Sequence, residues 1–235
     1  VWEWYLTNGI KQYINPGFDA ERLGNGNILI TLPGKGIREI GTNGVEQWRH
    51  DDAKISHDSD RMPDGSTLYV FGDDDVPTDA SVKKVDTNGV VYNLWFGTNE
   101  YRVAPYWPTN GVFREGWIHV NGASLMTNGN ILVSLRNFNQ TIIINTNGTN
   151  EWVLNYTNLY GGAYSPPTAL GYDPHDPELS ADETRMLVCL QRESPYQVVE
   201  IDVNARTSTW EYARAGLRTC RDANRLPNGN VLIVG

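Results

Sequence analysis

Trp117-Ile-His119-Val-Asn121-Gly-Ala-Ser-Leu125-Met-Thr-Asn128-Gly-Asn130-Ile-Leu-Val133-Ser134-Leu-Arg136 is the stretch from which the fold can be read. Gly129 supplies a tight turn, and Ile131 to Leu135 carries the branched, apolar character of a buried strand. The turn returns the chain antiparallel to itself. His119 and Asn121, before the first strand, and Arg136, after the second, are therefore expected at one end of the hairpin.

The same phrase recurs. Asp19 to Ile30, Asp58 to Val70, Asn121 to Val133, Asp176 to Val188 and Asp222 to Val234 form one set, here called inner hairpins. A second set alternates with them and turns on Thr-Asn-Gly or a relative of it. Its members are Val1 to Ile14, Gly36 to Trp48, Val82 to Trp95, Ile142 to Leu154 and the degenerate Val198 to Tyr212, here called outer hairpins. An inner hairpin followed by an outer one makes a four-stranded unit. Such units, repeated at roughly 40 to 60 residues, are what a β-propeller requires, because each blade buries its faces against its neighbours.

The expected fold is therefore all-β, a single propeller domain over 1–235. Four blades are continuous (18–50, 57–95, 118–154 and 175–212), and a fifth is composite, with 221–235 and 1–14 pairing to close the ring. Tyr101 to Trp107 and Val112 to Trp117 read as a further outer hairpin without an inner partner, either an insertion or part of a sixth blade. Asn155 to Asp173 reads as a long surface loop.

Composition agrees with many short strands: Trp 8, Tyr 12 and Gly 23 accompany the Asn-Gly turns. The net charge of -9 and the lack of a basic stripe argue against nucleic acid and anionic membranes as partners. No run approaches the roughly 18 to 20 apolar residues of a membrane helix. The chain starts mid-pattern at Val1 without Met, which points to a processed or incomplete chain, with a signal peptide as one candidate for the missing part.

Cys189 and Cys220 are too few for a disulfide scaffold and lack zinc spacing; they either pair across neighbouring repeats or stay as buried thiols. Sequons stand at Asn139, Asn147 and Asn155. An extracellular or periplasmic location is the lean. The acidic run Asp73-Asp74-Asp75 reads as a solvated loop rather than a calcium site, and His50 as a solvated loop residue.

Aligning the inner hairpins puts Phe18, His57, His119, His175 and Arg221 in register immediately before the first strand, using three of the four histidines. In a propeller, positions matched by repeat become neighbours around the axis. Three imidazoles and a guanidinium would then face one pocket, though His-Asp pairs that merely cap turns would give the same register.

This pattern resembles the arylsulfotransferase family, propeller enzymes that move a sulfuryl group between phenols. The similarity runs from about Asp19 to Gly235. Its most specific part is Trp117-x-His119-x-Asn121, the Asn-Gly-Asn-Ile-Leu-Val turn, and Ser134-x-Arg136. The resemblance implies that His119 and Arg136 contact the sulfuryl group, that His57 is a channel histidine, and that His175 is the nucleophile, forming a sulfohistidine. Asn121 would orient His119 or cap the turn; Arg221 would add charge to a substrate pocket or contact Asp222 or the next blade. An aryl sulfate and a phenol are the implied substrates, and neither cofactor nor metal is required. The family has six blades where five are countable here. Ser180 to Thr184 also departs from the Asn-Gly turn. The alternative is a non-catalytic extracellular or surface propeller used for binding or assembly, with self-association through open strand edges.

Overall fold

The computed structural model describes residues 19–104, 106, 116–160, 172–191, 197–214 and 220–234. Four antiparallel sheets follow one another in up-and-down order. The first holds β1 (Ala20–Arg22), β2 (Ile28–Leu32), β3 (Gly36–Ile40) and β4 (Glu46–His50). The second holds β5 (Ile55–Arg61), β6 (Thr67–Phe71), β7 (Val82–Val85) and β8 (Val91–Trp95). The third holds β9 (Val120–Leu125), β10 (Ile131–Leu135), β11 (Gln140–Ile144) and β12 (Asn150–Asn155). The fourth holds β13 (Pro174–Leu179), β14 (Arg185–Leu190), β15 (Gln197–Asp202) and β16 (Thr207–Ala213). A two-stranded sheet follows, β17 (Asp222–Arg225) with β18 (Val231–Val234). These are the expected blades, and the fold is of propeller type.

The inner turns form for one local reason. A glycine in the left-handed region closes four of the five, and the residue before it accepts the N–H of the residue after it through its side chain. Gly129 has φ 86°, and Asn128 Oδ1 takes Asn130 N at 2.9 Å. Asn25, Asp64 and Asn228 do the same for Asn27, Ser66 and Asn230. In the fourth blade Glu183 occupies the left-handed position at φ 56°, while Asp182 Oδ1 accepts Thr184 N at 3.2 Å. The departure from Asn-Gly therefore still makes a turn.

Strand alternation does the packing. Ile131, Val133 and Leu135 join Val70, Val82 and Trp95 between the second and third sheets. Leu132 and Ile143 face the other way, onto Met186 and Val188 of the fourth. Leu29, Ile37, Tyr69 and Phe71 fill the first junction, and Leu187, Val198 and Ala223 the last. β5 lies against β9, β9 against β13, and β13 against β17, so the leading strands of successive blades are neighbours.

Several expectations change. Tyr101 ends a single helical turn, α1 (Thr98–Tyr101), instead of opening a strand, because its ring is buried against Trp95, Phe138 and Tyr106. His50 is not a solvated loop residue: it ends β4, half-buried, with Nε2 3.3 Å from the Tyr69 hydroxyl. Of the two alternatives for Cys189 and Cys220, pairing is the one found: they form a disulfide joining β14 to the segment before β17. Part of the loop after Asn155 is the helical turn α2 (Tyr156–Leu159), capped by the Asn155 side chain, which accepts Thr157 N and Asn158 N. Of the sequon asparagines, Asn139 is buried, whereas Asn147 is exposed in a hairpin turn. The proposed pairing of 1–14 beside 221–235, Phe18, and most of the Tyr101 to Trp117 hairpin lie outside the described residues.

Candidate active site

Each of the three middle blades breaks its strand register at the ring position. Between β5 and β6 the pairing jumps from Ile55–Phe71 to Ser59–Tyr69, between β9 and β10 from Val120–Leu135 to Ala123–Val133, and between β13 and β14 from His175–Cys189 to Glu178–Leu187. A bulge re-aims the side chains beside it. His57 (φ 63°) and His119 (φ 56°) take left-handed backbone, as does Asp176 after His175 (φ 47°). For a residue with a Cβ this costs roughly 1–2 kcal/mol and must be held by its surroundings.

What holds His119 is Asp75. Its Oδ1 accepts Trp117 N at 2.6 Å and His119 N at 3.4 Å, and Oδ2 accepts Ile118 N at 3.0 Å. On the other side, Arg136 N and Asn137 N donate to His119 O and Ile118 O at 3.2 and 3.1 Å. Asp75 is 3% exposed, so reading the triplet as a solvated loop fails at its last member. The bulged segment brings three backbone donors inside, and buried donors need an acceptor. Burial raises the Asp75 carboxyl to about 6, with these N–H bonds opposing the rise.

His57 is fixed from the same loop. Its Nδ1 lies 3.0 Å from Ser56 Oγ, which accepts Asp73 N at 3.3 Å. A Cβ on Gly72 would fall 2.6 Å from Ser56 Oγ, 2.7 Å from His57 Nδ1 and 2.8 Å from Val120 O. Only glycine lets the loop pass there.

The side chains then converge. His57 Nε2 and His119 Nε2 are 3.3 Å apart, and Arg136 Nη1 is 3.2 Å from His119 Nε2. The His175 ring centre lies 5.8 Å from that of His57, and Arg221 Nη1 lies 3.4 Å from His175 Nε2. Asp73 Oδ1 stands 3.7 Å from His119 Nε2 and 3.9 Å from His57 Nε2, while Asp173 Oδ2 is 3.9 Å from Arg136 Nη2. His57, His119, Arg136, His175 and Arg221 thus share one end of the blades. Asn121 faces elsewhere: its Nδ2 donates to Pro174 O at 3.1 Å, and its Oδ1 accepts the Ser134 hydroxyl. It ties the third blade to the strand that carries His175.

Burial, followed by the neighbouring His119, Arg136 and Arg221, holds His57 well below the usual imidazole range. Burial, His57 and Arg221 do the same to His175. Both rings are therefore neutral near pH 7 and offer lone pairs. One residue beyond four of the five ring positions, His119 being followed by Val120, lies an acidic layer, Asp19, Asp58, Asp176 and Asp222, to which Asp60 adds. Burial raises Asp19 and Asp60 to about 7, and Asp58 and Asp176 well above the usual carboxylate range, with mutual repulsion adding to the rise. The protonated forms so favoured weaken the negative potential an anion would meet beside the imidazoles.

In this propeller-type protein, neutral imidazoles and two guanidinium groups gathered at one end of the blades make an arrangement whose N–H donors can meet a compact anion. The chain belongs to the arylsulfotransferase (ASST) family, whose sequence model matches residues 2–172. That span contains His57, His119, Asn121 and Arg136; it stops short of His175 and Arg221, which rest on repeat register and geometry. A search of curated proteins finds no match.

Among solved structures, virginiamycin B lyase from Staphylococcus aureus superposes with TM-score 0.58 at 13% identity, over 93% of this chain and 63% of the lyase. A streptogramin B lyase gives 0.60 at 12% identity, over 95% of this chain and 63% of the other. Kuenenia stuttgartiensis hydrazine synthase gives 0.58 at 15%, over 97% and 59%. These likenesses show the fold. The chain spans less than two thirds of the length of these structures.

Proposed function

We propose that this protein transfers a sulfuryl group from an aryl sulfate to a phenolic acceptor, with His175 as the nucleophile. The observation that carries the reading is the contact chain Arg136–His119–His57, set against the His175–Arg221 pair in a member of this family. In the first half-reaction the lone pair of His175 Nε2 forms a bond to sulfur as the aryl C–O–S linkage opens at the S–O bond, and the electrons leave with the phenolate. In the second, the oxygen of another phenol bonds to sulfur, the N–S bond breaks, and the acceptor's proton goes to solvent or to a neutral imidazole. The result is a ping-pong cycle.

The three non-bridging oxygens need donors already in place. Arg136, His57 and His119 are assigned that role. Arg221, at 3.4 Å from Nε2, can pass its N–H to a sulfuryl oxygen once Nε2 is bonded to sulfur. Asn121 is assigned to positioning: it holds Pro174, and with it the strand start of His175.

The Cys189–Cys220 disulfide supports placing the protein in an oxidising compartment, extracellular or periplasmic. Among the described residues no helix is long and apolar enough to cross a membrane. A second reading, a binding or assembly module that associates through open sheet surface, is favoured by Leu232 and Val234 on β18, 51% and 49% exposed.

The test is incubation with para-nitrophenyl sulfate and a phenol, following nitrophenolate for the parent and for His175→Ala. Release by the parent and not by the variant supports transfer. Equal background from two folded samples would reject it and favour the binding module.

A further inference from the structure

We propose that His57, His119 and Asp73 form a binding site for a divalent transition ion of the zinc type. At a Zn–N bond of about 2.0–2.1 Å, two imidazole nitrogens at a tetrahedral angle stand roughly 3.4 Å apart. The two Nε2 atoms here are 3.3 Å apart. The third ligand atom, Asp73 Oδ1, is 3.7 and 3.9 Å from them, so closing it onto a shared ion needs an inward shift of roughly half an ångström. A side chain 49% exposed can make that movement, whereas the histidines are buried and fixed.

The outer shell is also built. Ser56 Oγ joins His57 Nδ1 to the Asp73 backbone N–H, at 3.0 and 3.3 Å. Asp75, two residues on in the same loop, clamps the His119 backbone. A single loop, passing where only Gly72 fits, thus orients all three ligands, as a metal's second shell does. Two His and one carboxylate leave a fourth position open, and the set has the mixed nitrogen and oxygen donors that suit zinc.

Among the described residues Arg136 and Arg221 are cations that act on His57, and Arg136 opposes the ion at short range, with Nη1 3.2 Å from His119 Nε2. It already faces Asp173, and entry of the ion turns it further that way. An ion here takes the ring nitrogens assigned above as N–H donors to the sulfuryl oxygens, and one nitrogen cannot donate a proton and ligate a metal at once, so metal and substrate exclude each other. The site stands on its three ligands whether or not a sulfuryl group is transferred there.

The test is equilibrium dialysis of the metal-free full chain against Zn²⁺ alone, with Co²⁺ as a spectroscopic substitute. The parent should bind one equivalent, and Co²⁺ should give the intense visible absorption of a tetrahedral site. His57→Gln and Asp73→Asn should lose both signals, His50→Gln should keep them, and Ser56→Ala should weaken binding about 10- to 100-fold. No stoichiometric binding by the folded parent, or binding unchanged in Asp73→Asn, would overturn the site. The half-exposed position of Asp73 keeps that variant decisive even where His57→Gln fails to fold.

Discussion

Replacing Asp75 by Asn should change how stability responds to pH. The folded carboxyl titrates at about 6 against an ordinary value of 3.8. The folded state therefore holds this proton more tightly than the unfolded chain does, and stability is greatest below about pH 4 and falls as pH rises through about 6. Two units of displacement at about 1.4 kcal/mol each make the loss about 3 kcal/mol, with little solvent screening for a group 3% exposed.

The amide cannot ionise and lacks this slope. It keeps one acceptor oxygen but turns an NH₂ toward either the Ile118 N–H or the Trp117 and His119 N–H groups, a mismatch costing roughly 1–3 kcal/mol. Near pH 4, Asp75→Asn should therefore be less stable than the parent by about that amount. Toward pH 7 the deficit should shrink or reverse by about 3 kcal/mol. Asp75→Ala, which removes the side-chain acceptor shared by the Trp117, Ile118 and His119 N–H groups, should be the weaker variant throughout. Urea unfolding at a series of pH values reads the difference directly, since Asp19 and Asp60 titrate in both proteins and cancel. A parent-minus-variant difference that stays flat from about pH 4 to 7 would refute the assignment of Asp75 as a buried ionisable clamp.

Three further outcomes follow from the same geometry. Breaking the Cys189–Cys220 bond, which spans 31 residues of sequence, should cost about 2–4 kcal/mol in urea unfolding. It should also lower turnover, because Cys189 is the strand partner of His175 and Cys220 precedes Arg221. Since burial and nearby cations depress His57 and His175, kcat should persist as pH is lowered through about 6.5, where an ordinary imidazole would protonate; a rate that halves there would contradict the depressed values. Asn121→Ala removes the tie to Pro174 and strands the Ser134 hydroxyl, so stability should fall by roughly 1–3 kcal/mol and kcat should fall more than KM rises.

The blades were legible because their punctuation repeats. Asn-Gly-Asn and its relatives fix where each hairpin reverses, and alternation fixes which residues meet the next sheet. The ring of His57, His119, His175 and Arg221 was legible for the same reason, since repeat register becomes spatial proximity in this fold. Less legible was anything that depends on a contact between blades. Asp75 looks like one of three solvated acids until the bulge before β9 turns three N–H groups onto it. His50 looks exposed until Tyr69 of the next blade meets it. Asn121 sits beside His119 in sequence, yet its amide reaches Pro174. The left-handed backbone of His57 and His119 is not decided by their own residue type, although His tolerates it better than most; it is held by neighbouring loops. The carboxylates that follow His57, His175 and Arg221, by contrast, are plain in the sequence as His-Asp and Arg-Asp pairs, and only their placement in space shows them as one layer.

The most direct measurement on the central claim is mass analysis of the His175 peptide after the protein meets an aryl sulfate with no acceptor present. Sulfuryl transfer through His175 predicts a mass increase of one sulfuryl group on that residue, lost when a phenol is added and absent in His175→Ala. Nitrophenolate release with no adduct on His175, or an adduct on another residue, would contradict it.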